Sequence, residues 1–145
     1  MYKDGTACLW VPGERWRYWP LGESMTTLLK GPVLSFFVAQ SIYERTSTWP
    51  FGERSHGAKG IFEAYREMVG AARTNAVLMD FIKMLGKRPI KGHWSCPCGS
   101  GSPLRSCHHD QVLSLSEQID VSEARLALKQ LRLDEELPRL LVEPN

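Results

Sequence analysis

The sequence predicts a mainly α-helical protein, α+β only if a short N-terminal strand or hairpin forms. Apolar residues recur at helical spacing in several segments between residues 24 and 137. Capping residues stand where those segments begin: Ser24, Thr74 or Asn75, and Asp120. Between the helices lies a turn-rich stretch, 95–109, holding three of the four cysteines. The expected order is a helical body at 1–88, followed by a small cysteine–histidine knuckle and trailing helices at 89–145.

Size and charge narrow the possibilities. With 145 residues, 43% of them hydrophobic, the chain is long enough for one domain with its own core and a small appendage. Eighteen basic residues stand against 16 acidic ones, a net charge of +2, too weak a balance to argue for nucleic-acid binding. No apolar run reaches the roughly 18 residues that a bilayer span needs, and Met1–Trp10 is too polar to read as a signal peptide. Reduced cysteines grouped as ligands fit a cytoplasmic protein.

Along the chain, Thr6–Val11 is a candidate strand after the Asp4-Gly5 turn. Trp10, Trp16, Tyr18 and Trp19 are expected to pack over later helices, with an aromatic recognition surface as the alternative. Ser24 caps a short segment to Leu29, and Gly31-Pro32 opens a second start. Val33, Leu34, Phe36, Phe37, Val38 and Ile42 make the next helix apolar nearly all round, so it should be central and buried, ending near Arg45. A loop at 46–57 contains His56, whose near-neutral titration suits either an exposed loop residue or a catalytic one.

Helix 58–70 carries Ile61, Phe62, Tyr65, Met68 and Val69 on one stripe. The next carries Leu78, Phe81, Ile82 and Leu85, with Gly86 as its C′ residue. The basic cluster Lys83, Lys87, Arg88 and Lys91 either complements a helix C-terminus or forms a patch for an acidic partner. A linker at 87–95 leads into the knuckle. Gln111–Ile119 is expected to be helical, and Asp120 with Glu123 resembles a capping box for a helix bearing Val121, Ala124, Leu128 and Leu131. Leu137-Pro138 should end that helix and leave 139–145 frayed.

The chemistry concentrates in Cys96, Cys98, Cys107 and His108, spaced C-x-C-x8-C-H. Structural zinc takes four tetrahedral ligands of this kind, and Gly99, Gly101 and Pro103 allow the chain to double back around an ion. Cys107 and His108 are adjacent, about 100° apart on a helical turn, so the backbone must bend to aim both inward. A Cys96–Cys98 disulfide would close a strained small ring, and a redox pair usually reads C-x-x-C. Four donors leave no open position for catalysis at the metal. His109 is a spare or replacement ligand, and His93 a fifth donor that a tetrahedral site does not need.

The stretch Cys96-Pro97-Cys98-Gly99-Ser100-Gly101, closed by Cys107-His108, resembles the SEC-C motif, a small zinc knuckle found in many contexts. The resemblance spans 96–108 and implies zinc binding. The usual basic or aromatic residues before the third ligand are reduced here to Arg105.

Cys8 stands apart from the cluster, and a lone cysteine is more often a small apolar filler than a nucleophile. The segment Gly5-x-x-Cys8-Leu9, with Trp49-Pro50-Phe51-Gly52-Glu53 and His56-Gly57, is similar to a divergent bacterial ubiquitin-conjugating-enzyme-like domain, of which 1–85 would be the C-terminal half. That resemblance implies a thioester on Cys8, with His56 as the base for an incoming amine and a ubiquitin-like protein or its activating enzyme as partner. The family's preceding sheet and Asn-containing motif are missing before Cys8, so the expectation is a truncated or non-catalytic member. The leading expectation remains a structural zinc protein that binds another protein; the conjugating-like acyl carrier and a nucleic-acid-binding knuckle are the alternatives.

Overall fold

The computed structural model describes residues 7–50, 55–70 and 72–142. Among the described residues eight α-helices follow one another: α1 (Arg15–Tyr18), α2 (Met25–Leu28), α3 (Leu34–Thr46), α4 (Gly57–Val69), α5 (Asn75–Leu85), α6 (His109–Gln118), α7 (Val121–Leu133) and α8 (Leu137–Val142). A π-helical turn, Leu29–Val33, joins α2 to α3, and a 3-10 turn, Leu104–Ser106, precedes α6. Among the described residues there is no strand, only an isolated antiparallel bridge between Ser95 and Pro103.

The core is built by α4, α5, α6 and α7. The stripe Ile61, Phe62, Tyr65 and Val69 of α4 meets Leu78, Phe81, Ile82 and Leu85 of α5, all buried. On α7 the buried residues are Ala124, Ala127 and Leu131. The two alanines let α7 lie close against α5, which is its most extensive helix contact. Val112, Leu115 and Ile119 close one end, and Leu104 and Cys96 of the knuckle enter the same cluster.

Local signals explain the starts. Ser24 Oγ accepts from Thr27 N–H (3.2 Å) and Thr74 Oγ1 from Val77 N–H (3.4 Å). Asp120 accepts from Ser122 N–H (2.8 Å). The capping box is only half formed, because the Glu123 carboxylate is committed elsewhere: it accepts from Gly13 N–H (3.1 Å) and pairs with Arg15 (3.2 Å). Glu123 thereby fastens the N-terminal loop to α7. Beside it Val11 and Glu14 are buried, with the Glu14 carboxylate held by Arg17 at 3.0 Å.

Five expectations need correcting. The candidate strand at Thr6–Val11 does not form across its described part, 7–11: with no neighbouring strand to pair with, Val11 instead accepts a turn bond from Glu14 N–H and drops into the helical core. The helix after Pro32 is not central. Of α3 only Ala39 is buried, while Leu34 and Phe37 are more than half exposed, because α4–α7 complete a core without it and α3 packs chiefly on the π turn it grows from. Gly86 does not take the left-handed C′ conformation (φ −75). Arg88 donates to Leu85 O (2.8 Å) and Arg125 to Gly86 O (3.0 Å), so arginines satisfy the end of α5. Residues 137–142 are helical rather than frayed, and 143–145 lie outside the described residues: Pro138 falls in a first turn, where its missing N–H costs nothing, and Leu137, Leu140 and Leu141 pack on the core. Of the four N-terminal aromatic residues expected to cover the helices, Trp16 packs on the core, Trp10 and Trp19 lie against each other, and Tyr18 is largely exposed.

Candidate metal centre

The knuckle is a miniature hairpin. Cys96 N–H donates to Ser102 O (2.9 Å) and Leu104 N–H to Trp94 O (2.7 Å), with the isolated bridge between them. The tip reverses through Gly99 (φ 79) and Gly101 (φ 74), the left-handed conformations that glycine adopts without strain. Leu104, fully buried at the start of the 3-10 turn, anchors the returning segment in the main core. Ser106 N–H and Cys107 N–H then bond back to Pro103 O and Leu104 O, forming the 3-10 turn that delivers the third cysteine. Cys107 leaves helical geometry (φ −137, ψ −97), which is the bend needed to aim two adjacent residues at one point. His108 takes the N-cap position of α6 and its carbonyl accepts from Val112 N–H.

The result brings all four expected donors together. Cys96, Cys98 and Cys107 Sγ and one ring nitrogen of His108 lie within 4.8 Å of one another. The Cys98 and Cys107 sulfurs are 3.6 Å apart, and His108 Nδ1 is 3.2 Å from Cys96 Sγ and 3.1 Å from Cys107 Sγ. A tetrahedral ion with ordinary Zn–S and Zn–N bonds would set these edges at about 3.8 Å between sulfurs and about 3.5 Å between sulfur and nitrogen. These three edges fall within about half an ångström of the tetrahedral values, and the whole set, within 4.8 Å, is close enough to converge on one ion. Cys96 is buried, Cys98 half-buried and Cys107 exposed, so the cluster is rooted on its inner side and open on its outer side.

The thiols differ in acidity. Burial pushes the Cys96 thiol up to about 11. The Ser100 hydroxyl, hydrogen-bonding to the Cys98 sulfur, brings that thiol down to about 6. Of these two thiols Cys98 is the more readily ionised.

Two neighbours of His108 carry no signal in the sequence, since they sit far from it along the chain. Phe81 of α5 meets its ring edge-on, with centroids 5.9 Å apart. Arg73, in the turn before α5, places Nη2 2.8 Å from His108 Nε2. A guanidinium only donates, so this contact makes Nε2 an acceptor and puts the ring proton on Nδ1, facing the sulfurs. Coordination through Nδ1 reverses that tautomer and places the proton on Nε2, against Arg73. A metal held through Nδ1 would therefore favour the Arg73 side chain turned off the ring.

The remaining candidates lie outside the cluster. Cys8 is half-buried in an irregular segment, its Sγ 3.7 Å from Trp10 O. His56 is exposed at the N-cap position of α4, but caps nothing with its ring; Asp134 supplies the carboxylate there, accepting from Ala58 N–H (2.6 Å). His93 is exposed, and His109 faces Asp110 at 3.3 Å. Of the basic residues, Arg88 ties the end of α5 to Ser116 O and Ile119 O, and Lys87 lies over the Trp94 ring. The Phe51-Gly52-Glu53 part of the conjugating-enzyme resemblance lies outside the described residues.

Comparison with protein-family models, with curated proteins and with solved structures finds no match. Neither the SEC-C nor the ubiquitin-conjugating resemblance gains support from it. What stands is a mainly helical chain with a Cys3His cluster able to hold a metal ion. No described helix is long and apolar enough to cross a membrane.

Proposed function

We propose that Cys96, Cys98, Cys107 and His108 hold a structural zinc ion in a SEC-C-like knuckle, and that the zinc-held knuckle serves protein interaction. The observation carrying the reading is the convergence of three sulfurs and one imidazole nitrogen within 4.8 Å on a hairpin whose root is buried in the core. Sulfur-rich tetrahedral sets select zinc over magnesium or calcium, which prefer oxygen ligands. Four protein donors fill zinc's coordination sphere, so the ion would hold shape rather than activate water. The body at 1–88 would serve as the platform and 89–145 as the metal-bearing part. The docking role rests on the knuckle's exposed outer side, Gly99–Gly101 with Arg105–Cys107.

The test is elemental analysis of protein purified without chelators. One zinc per chain is expected, with an alanine substitution at Cys98 or Cys107 abolishing it. A metal content near zero, in protein that also fails to take up added zinc, sinks the reading.

A further inference from the structure

The end of α5 and one face of α7 enclose a groove of about 610 Å³. Five cations line it: Lys83 and Lys87 from α5 and the turn after it, and Arg125, Lys129 and Arg132 from α7. All five are exposed, and among the described residues no acidic or aromatic one lines the groove. On α7 the cations fall at i, i+4 and i+7, with Leu128 and Leu133 at i+3 and i+8. One stripe of about two turns therefore carries positive and apolar side chains side by side. Leu133 is 73% exposed, and Leu128 is half-buried.

Helix ends account for only part of this charge. A helix C-terminus carries about half a negative charge. Of the five cations, Lys83 and Arg132 alone stand in a last turn. Arg125 donates its Nε–H to Gly86 O (3.0 Å), and Lys87 lies over the Trp94 ring. Lys129 and Arg132 have no hydrogen-bond or ion-pair partner among the described residues. Only Lys83 has an acid beside it, Asp80 at 2.8 Å. Asp134, directly after α7, is committed to Ala58 N–H (2.6 Å) and Glu136 N–H (2.9 Å). A chain of net charge +2 thus gathers five cations in one groove and leaves most of them without a counter-charge.

We propose that this groove binds an acidic segment of a partner protein, in which Asp or Glu side chains stand next to apolar ones. Cations crowded into one groove repel one another, and an anionic ligand relieves that repulsion. The leucines between the cations match apolar side chains on the same ligand, which a phosphate backbone does not offer. Single-stranded nucleic acid would also call for aromatic rings on which bases stack, and none lines the groove. None of the four metal donors lines it either, so the inference stands apart from the zinc reading.

The experiment is fluorescence anisotropy with a fluorescein-labelled peptide of Glu-Glu-Leu repeats, titrated with the full zinc-replete chain at low salt. Saturable binding is expected, weakening as salt rises. Lys129→Glu/Arg132→Glu should weaken it by roughly tenfold or more, and Leu133→Ser by less, with helix content and zinc content unchanged because these side chains are exposed. Lys30→Glu/Lys59→Glu makes the same charge change at two exposed lysines outside the groove and should leave binding nearly as in the wild type. Absence of saturable binding overturns the proposal. So does equal weakening by the two double variants, which would reduce the effect to net charge. Equal binding of an all-glutamate peptide would remove the apolar half of the match and overturn it as well. Tighter binding of a single-stranded oligonucleotide, lost in Lys129→Glu/Arg132→Glu, would assign the groove to nucleic acid instead.

Discussion

The knuckle at 92–109 and the helical arm at 25–46 are opposite solutions to the same problem. Each is a segment attached to the four-helix core rather than part of it. The knuckle sends Leu104 and Cys96 into that core and gathers four polarizable donors at its tip. The arm sends in almost nothing and keeps its apolar side chains on the outside. One region is therefore expected to be coupled to the stability of the whole chain and the other nearly independent of it. Substitutions should separate the two.

The largest effect is expected where core and knuckle meet. Phe81 is fully buried and its ring lies against His108. Phe81→Ala should destabilise the chain by about 3–5 kcal/mol in denaturant unfolding and weaken metal retention at the same time. At Phe37 of the arm, more than half exposed, the same truncation should move the unfolding free energy by only about 0.5 kcal/mol. Equal losses at the two phenylalanines would erase the distinction.

Next is the fastening of the N-terminal loop. Gly13 sits at φ 98 with its Cα against the Tyr65 ring, where any added Cβ would collide with the hydroxyl end. Gly13→Ala combines left-handed strain with overpacking, so a loss of about 2–4 kcal/mol is expected in thermal or chemical unfolding.

Arg73 tests the metal centre from outside the ligand set. Replacing its donor by an acceptor, Arg73→Glu, supplies the partner that a metal-bound imidazole's N–H seeks. Metal affinity, read by competition with a chromophoric chelator, should rise by roughly tenfold. A fall in affinity would mean that Arg73 supports the loaded state rather than opposing it.

A smaller effect than those of Phe81 and Gly13 belongs to Asp120. Ser122's hydroxyl and N–H hold its carboxyl below the usual carboxylate range. A lowered folded value means the cap's contribution is fully present above the ordinary carboxyl pKa, near about 4, and is lost as pH falls through the folded value. Asp120→Ala should cost about 1 kcal/mol at neutral pH, and that difference should vanish in strong acid.

The same contrast explains what the sequence revealed. The knuckle was legible because its determinants are local: ligand spacing, two glycines at the tip, and an adjacent Cys-His pair that forces a bend. The α4 and α5 stripes were legible because helical periodicity names the buried face directly. The position of α3 was not, since an apolar helix shows that it needs burial without saying whether its own chain provides it. Glu123 looked like half of a capping box because sequence shows only near neighbours, while its partners, Gly13 and Arg15, lie more than a hundred residues away. Arg73 and Phe81 beside His108 leave no local trace for the same reason, and Pro138 is ambiguous in sequence because proline both ends helices and begins them.

The central claim is that the four donors form one tetrahedral site, and cobalt(II) titration of the metal-free chain addresses it most directly. The account predicts intense visible d–d bands and thiolate charge-transfer absorption saturating at one equivalent, displaced by zinc and lost in Cys96→Ser. A weak octahedral spectrum, or absorption that survives the loss of Cys96, would contradict it.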